Sequence, residues 1–263
     1  GDERMLALHN TLAYEGAQPV VTVLQRQIEE TDRQIDTLVY ESYGLSDDEM
    51  AERVRLLSAV RSNTVVSRSK LRTLYSLARR IESAGIEGIV AECGVFRGGS
   101  AALLAAATSP ARQVYLFDSF QGLPEPGEKD GQQARSLYRE GWCQGTAGDV
   151  RAVCRRLGVA DSRVHLVEGW FQDTLPAFPP HPVALLHIDA DWYESVRLCL
   201  STFYQRVSPG GCIVFDDYGR WEGCTRAVDE FLSARGLRDR LVDGHYVVKP
   251  AERDVREDLP QCD

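Results

Sequence analysis

From residue 87 onward the sequence alternates short apolar segments with amphipathic ones, and this alternation limits the possible folds more than any other feature. Short, nearly continuous apolar strands separated by helices are typical of a parallel sheet covered on both faces. The predicted strands span 88–93, 113–118, 163–169, 183–189, 211–216 and 240–248. The predicted helices include 98–107, 147–157, 192–206 and 223–235. The last strand alternates apolar and polar residues, so we expect an antiparallel edge.

Almost every predicted strand ends in an acidic residue. In such a sheet, ligands bind beyond the carboxyl ends of the strands. Packing explains the apolar strands but does not require acids at their ends. The sequence therefore predicts a functional site at this edge, around Glu92, Asp118, Glu168, Asp189 with Asp191, and Asp216 with Asp217.

The first strand runs into a glycine-rich turn, AECGVFRGGS, with Gly94, Gly98 and Gly99. Its spacing is Glu-x-Gly-x-x-x-Gly rather than the dinucleotide pattern GxGxxG. Glu92 would repel a phosphate and attract a cation, whereas Asp118 at the next strand end is placed to accept both hydroxyls of a ribose. This pair suits a positively charged nucleoside without phosphate, such as S-adenosylmethionine. The alternative is an ordinary tight connection.

The segments HIDADWYES and VFDDYGRW each place two aspartates at a strand end. Four neighbouring carboxylates repel one another unless something neutralises them. All-oxygen ligands suit Mg²⁺ or Ca²⁺, and no Cys/His cluster accompanies them to indicate zinc. The alternatives are helix N-caps for Asp191 and Asp217, or solvated loop acids.

Other residues near these aspartates have two interpretations. His187 could hydrogen-bond to a metal shell or be a satisfied histidine in a half-buried strand. Four aromatic residues could line a pocket or pack helix against sheet: Trp192, Tyr193, Tyr218 and Trp221. The segment 121–135 is a predicted loop over the acceptor, or a plain surface loop.

A metal beside a sulfonium cofactor implies a reaction. Coordination to Mg²⁺ would lower the pKa of a sugar or phenol hydroxyl and hold its oxygen in place. A nearby carboxylate would take the proton, and the oxygen would attack the methyl carbon in line. These arguments do not separate the base from the metal ligands among the four aspartates.

Five motifs in order resemble the macrocin O-methyltransferase (TylF-like) family: CGVFRGGS, FDSFQGLPEP, EGWFQDTLP, HIDADWYES and FDDYG. The resemblance runs from about residue 66 to about residue 249. It implies a Mg²⁺- and S-adenosylmethionine-dependent sugar O-methyltransferase of natural-product biosynthesis. It also implies a class I methyltransferase fold, Rossmann-like, with a seven-stranded, mostly parallel α/β sheet and one antiparallel strand.

The family's roles carry over to matching residues. The resemblance implies that Asp191 is the general base and that Asp189, Asp216 and Asp217 hold the metal. It assigns the cofactor's amino-acid end to Glu92, Gly94, Phe96 and Ser100, its ribose to Asp118 with Ser119 and Phe120, and its adenine to Phe171 and Gln172. It further suggests a homo-oligomer, of which we favour the dimer.

Composition excludes several classes of protein. A net charge of −9 is a poor match for nucleic-acid binding, so we expect a small-molecule acceptor and no nucleic-acid partner. No apolar run approaches the length of a membrane span and no leader pattern opens the sequence, so we expect no membrane partner. The seven cysteines form no CxxC pair, which together with the other features predicts a cytoplasmic protein.

The chain divides into a tail and helical segment at 1–62, a methyltransferase domain at 63–250, and a charged tail at 251–263. Heptad spacing predicts one helix over 21–42, and Ser46 with Glu49 predicts the start of a second helix running towards Arg61. This pair could cover a sheet face or form a dimerisation hairpin.

The sequence leaves two alternatives to the sugar O-methyltransferase. A catechol or phenol O-methyltransferase would use the same fold and metal. A non-catalytic protein could have retained the cofactor fold and use its N-terminal helices to bind partners, although it would have no need for four clustered acids.

Overall fold

The computed structural model describes residues 47–250. The chain divides into two compact units, of which the first ends at Glu52 and the second begins at Arg53. The predicted helix over 21–42 lies outside the described residues. The second N-terminal helix is confirmed as α1, Asp47–Val60.

The predicted helices are confirmed with small shifts at their ends. The helices after α1 are α2 Arg68–Ser83, α3 Gly99–Ala107, α4 Gly131–Leu137, α5 Ala147–Arg156, α6 Phe171–Thr174, α7 Tyr193–Phe203 and α8 Glu222–Ser233. Within 47–250, none of them has both the length and the apolar character of a bilayer-crossing helix.

All six predicted strands are present. They are β1 Ile89–Cys93, β2 Val114–Asp118, β3 Val164–Glu168, β4 Val183–Ile188, β5 Val207–Phe215 and β6 Tyr246–Val248. Their order in the sheet is β3-β2-β1-β4-β5-β6. The first five are parallel, and β6 pairs antiparallel with β5, as the alternation in its sequence predicts.

The count of seven strands that the resemblance implies is wrong for the described residues, which contain the six that the sequence pattern predicts. The last of the six is also shorter than predicted. The predicted strand 240–248 is broken by a turn in which Asp243 (φ +50°) and Gly244 (φ +67°) both have left-handed backbones. Such residues reverse the chain tightly. The part before the turn therefore contributes only an isolated bridge between Val242 and Tyr246.

Helices cover both faces of the sheet, as expected for a parallel α/β fold. One apolar core includes Leu56, Leu57 and Val60 at the end of α1, together with residues of α2, α3 and α5. The core on the opposite face is built largely from α7 and α8. With both faces buried, the open edge beyond the strands' carboxyl ends is left for ligand binding.

Candidate active site

A cavity of about 270 Å³ lies at the carboxyl ends of the strands. Each of β1 to β5 contributes wall residues at or just after its end, and the connection between β2 and α5 contributes more. The wall includes Gly94, Phe96, Asp118, Ser119, Leu123, Pro124, Trp142, Cys143, Phe171, Gln172, Asp189, Asp191, Asp216, Asp217, Arg220 and Trp221. The functional site predicted at this edge from the sequence therefore coincides with a real concavity.

The glycine turn after β1 packs directly against the end of β4. Gly94 has φ +88°, and a Cβ atom there would lie 1.7 Å from the main-chain oxygen of Asp189. Only glycine satisfies both conditions. The close approach brings the predicted cofactor turn next to the predicted metal site.

The carboxylate of Asp118 holds this turn in place. Its Oδ2 accepts hydrogen bonds from the backbone N–H groups of Val95 (2.7 Å) and Phe96 (3.0 Å), and its Oδ1 accepts one from Phe120 (2.7 Å). Phe96 and Phe120 both have positive φ, which these bonds help to stabilise. Asp118 also lines the cavity, where its predicted contact with a ribose stays a prediction.

The other predicted cofactor residues divide into two groups. Gly94, Phe96, Ser119, Phe171 and Gln172 line the cavity. Three residues are buried and do not line the cavity: Glu92, Ser100 and Phe120. Their contacts with the cofactor stay predictions.

Glu92 instead forms a buried pair with His187 across β1 and β4. Its Oε1 lies 2.7 Å from His187 Nδ1, and both side chains are fully buried. Burial acts to lower the pKa of His187, but the acidic Asp216 and Glu92 outweigh it and raise this pKa to about 9. His187 Nε2 lies 3.9 Å from Asp216 Oδ1, an ionic contact rather than a hydrogen bond. His187 therefore lies buried between two acids, both of which favour its protonated form.

Three carboxylates converge on the cavity. Oxygens of Asp189, Asp191 and Asp217 all lie within 4.8 Å of one another. Burial and the neighbouring acids raise the pKa of Asp189 and of Asp191 well above the usual value, and they raise that of Asp217 to about 6. Asp217 Oδ2 is buried without a hydrogen-bond partner. Converging oxygens that repel one another and keep unused acceptor capacity fit a hard divalent cation.

The fourth aspartate, Asp216, has different surroundings. Lys70 of α2 donates hydrogen bonds to its main-chain oxygen and to its carboxylate Oδ2, the latter at 3.3 Å. Burial opposes ionisation, but His187 and Lys70 together lower the pKa of Asp216. Asp216 lines the cavity beside the three-carboxylate cluster, which includes the predicted base Asp191 but not the predicted ligand Asp216.

The aromatic residues near the aspartates serve mainly as packing, with Trp221 also lining the cavity. Trp192 and Tyr193 are buried, and their rings face the loop and helix around them. Trp221 is packed edge-on against Trp192 and Trp142, with ring centroids 5.3 and 6.1 Å apart.

Sequence reasoning missed Lys70 and Trp142. Lys70 is 146 positions from its partner, and no local pattern reveals such a contact. Trp142 follows Gly141 in a polar, glycine-containing segment that has neither a strand nor a helix pattern. A large aromatic residue in such a loop could have indicated a ligand contact.

The model of the family described as "Macrocin-O-methyltransferase (TylF)" matches residues 22–247. The chain belongs to this family. The resemblance seen in the sequence is thereby confirmed, as is the expectation of an O-methyltransferase that uses S-adenosylmethionine.

Two Streptomyces enzymes are among the relatives of this chain. The "8-demethyl-8-(2,3-dimethoxy-alpha-L-rhamnosyl)-tetracenomycin-C 4'-O-methyltransferase" of Streptomyces olivaceus is 33% identical over 81% of this chain and 84% of its own length. "Demethyldecarbamoylnovobiocin O-methyltransferase" of Streptomyces niveus is 33% identical over 70% and 75%. The solved structure of the O-methyltransferase NovP is 30% identical, with a TM-score of 0.65 over 72% of this chain and 83% of its own. This likeness confirms the Rossmann-like methyltransferase fold.

Proposed function

We propose that this macrocin-O-methyltransferase family member transfers a methyl group from S-adenosylmethionine to a sugar hydroxyl of a glycosylated natural product, with Mg²⁺ as cofactor. The observation that carries the metal is the cluster of Asp189, Asp191 and Asp217 oxygens within 4.8 Å of one another. When bound, Mg²⁺ would orient and acidify the acceptor hydroxyl. The proposed ligands are Asp189 and Asp217 from this cluster and Asp216, which lines the cavity beside it.

In the proposed reaction the chain's own residues place the partners and take up a proton. The acceptor oxygen bonds to the methyl carbon while the carbon–sulfur bond breaks, which releases S-adenosylhomocysteine. The hydroxyl proton passes to the carboxylate of Asp191, which shares the cavity wall with the turn at Gly94. Asp118, Phe171 and Gln172 would hold the ribose and adenine of the cofactor.

A sugar-bearing acceptor is supported by the relatives and by the cavity's charge. The two Streptomyces relatives and the "Mycinamicin III 3''-O-methyltransferase" of Micromonospora griseorubida (34% identical) carry the names of natural-product methyltransferases. Of the residues that line this cavity, all in the described part of the chain, Arg220 is the only lysine or arginine. A neutral glycoside fits this wall better than a nucleotide-linked sugar, whose diphosphate calls for several cations. We also propose a cytoplasmic homodimer, as expected from the sequence.

The test combines metal binding with methyl transfer. Calorimetry should detect Mg²⁺ binding to the wild type and not to Asp217→Asn, while both proteins bind S-adenosylmethionine. Formation of S-adenosylhomocysteine should follow the addition of 4-nitrophenyl α-L-rhamnoside and stop after exhaustive chelation. Asp161→Asn changes an exposed aspartate paired with Arg155 and is the matched control. Methyl transfer that continues unchanged after chelation contradicts the metal role, and activity on catechol but on no glycoside favours a phenolic acceptor.

A further inference from the structure

Asp191 lies in a strained turn. The Trp192 amide donates to the carbonyl of Ala190 at 2.6 Å, closing a three-residue turn with Asp191 at its centre. Asp191 has φ +51°, in the left-handed region that residues other than glycine rarely adopt. A conformation of this kind persists only where the surrounding structure holds it in place.

The surrounding structure includes Asp130, which caps the helix that follows Asp191. Helix α7 begins at Tyr193 and has no capping side chain from its own N-cap residue. Asp130, only 4% exposed, supplies that cap from a distant part of the sequence, because its Oδ1 accepts a hydrogen bond of 2.6 Å from the Tyr193 N–H. A carboxylate at a helix N-terminus is favoured by its free N–H groups and by the helix dipole.

Asp130 itself has little freedom to move. Its Oδ2 accepts a hydrogen bond of 2.7 Å from the Gly127 N–H within its own loop. Gly223 of α8 packs closely against the same carboxylate, because a Cβ atom added at Gly223 would lie 1.8 Å from Asp130 Oδ1. The same loop is tied a second time to the residues after Asp191, because Trp192 Nε1 donates to the Pro124 carbonyl at 2.8 Å.

We propose that Asp130 is a positioning residue for Asp191: by capping α7 at Tyr193 it fixes the strained turn that aims the Asp191 carboxylate into the cavity. Asp130 does not line the cavity, so it would act on the acceptor only through Asp191. The inference rests on the proposed role of Asp191 as the general base. The predicted loop 121–135 ends earlier than expected, because α4 begins at Gly131. Both contacts that hold the turn come from its non-α-helical part, at Pro124 and Asp130.

The first arm of the test needs no acceptor. Amide hydrogen exchange of the segment 189–196 should become roughly 10-fold faster in Asp130→Ala, and less so in Asp130→Asn, which keeps one acceptor oxygen. Asp149→Ala is the matched control, because Asp149 also bonds at a helix N-terminus, that of α5, but away from Asp191. Unchanged exchange in a folded Asp130→Ala protein overturns the proposal.

The second arm measures turnover with 4-nitrophenyl α-L-rhamnoside. In Asp130→Ala, kcat should fall roughly 10- to 100-fold, as expected when a reacting group is misplaced, with S-adenosylmethionine affinity unchanged. The double variant Asp130→Ala/Asp191→Asn should be no slower than Asp191→Asn alone, because residues that act through one group are not additive. Should Asp130→Ala prove too unstable, Asp130→Asn gives the comparison with a smaller expected fall in kcat.

The outcomes separate the two proposals. Loss of turnover in Asp191→Asn with wild-type kcat in Asp130→Ala overturns the positioning role and leaves the proposed function standing. Full turnover in Asp191→Asn contradicts the proposed base, and the positioning role fails with it. A defect in Asp130→Ala that multiplies with that of Asp191→Asn indicates general destabilisation and likewise overturns the inference.

Discussion

Lys70 holds the acidic end of β5 to helix α2, and its removal should destabilise the protein strongly. The side chains of Lys70 and Asp216 are 19% and 6% exposed. A hydrogen bond to a charged group contributes about 1.5–3 kcal/mol, and Lys70 makes two bonds to Asp216, one to its carboxylate. Stripping a buried charge of its partner costs about 3–5 kcal/mol, but His187 still lies 3.9 Å from Asp216. We therefore expect Lys70→Met to lower the free energy of unfolding by about 2–4 kcal/mol.

This loss corresponds to a melting temperature lower by roughly 5–15 °C for a domain of this size. Urea unfolding followed by circular dichroism measures the free energy, and calorimetry measures the temperature. Lys129→Met is the matched control, because the exposed Lys129 ammonium lies 3.9 Å from the Tyr193 ring and should contribute less than about 1 kcal/mol. A Lys70→Met protein within about 0.5 kcal/mol of the wild type would refute the reasoning.

Three further predictions follow from single contacts. Gly94→Ala should lower the free energy of unfolding, measured in urea, by more than about 3 kcal/mol, since the new Cβ meets the Asp189 backbone. Gly158→Ala, also at positive φ but in open space, should lower it by about 1 kcal/mol. Equal losses would contradict the packing argument. The carboxylate of Asp118 accepts hydrogen bonds from three backbone N–H groups, so Asp118→Asn should weaken S-adenosylmethionine binding at least ~10-fold by calorimetry. The control Asp161→Asn should leave this affinity unchanged. An unchanged affinity in Asp118→Asn would show that the turn does not depend on this carboxylate. Burial acts to raise the pKa of Glu82, but Arg112 lowers it overall, so the stability that Glu82 contributes is present above about pH 4.5 and is lost as the pH falls further. The free energy of unfolding of Glu82→Gln should therefore fall less than that of the wild type between about pH 5 and 3. Stability curves that run parallel for the two proteins would contradict this.

The periodicity of the sequence was enough to predict most of the fold. Apolar strands alternating with helices reflect burial on both faces of a parallel sheet, and that pattern is local. The one strand that sequence reasoning misjudged, 240–248, fails because Asp243 and Gly244 turn the chain back on itself, which apolar alternation does not report.

The candidate site was only partly predictable. Parallel strands bring their carboxyl ends to one edge, and the five predicted aspartates there do line one cavity. The predicted acids Glu92 and Glu168 do not line it. The sequence did not indicate that Glu92 turns inward to His187, or that Asp216 is neutralised by Lys70, 146 positions away. Neighbouring residues such as Asp216 and Asp217 differ because each side chain leaves the strand end in its own direction.

The sequence by itself therefore determined the sheet, the edge at which ligands bind and the residue types collected there, because these depend on patterns along a few neighbouring residues. Only the tertiary structure decided which carboxylates converge, which one pairs with the half-buried Lys70, and which distant residue caps the helix after Asp191. Those outcomes depend on contacts between segments that are far apart in the chain, and their distances and burial set the electrostatics of the site.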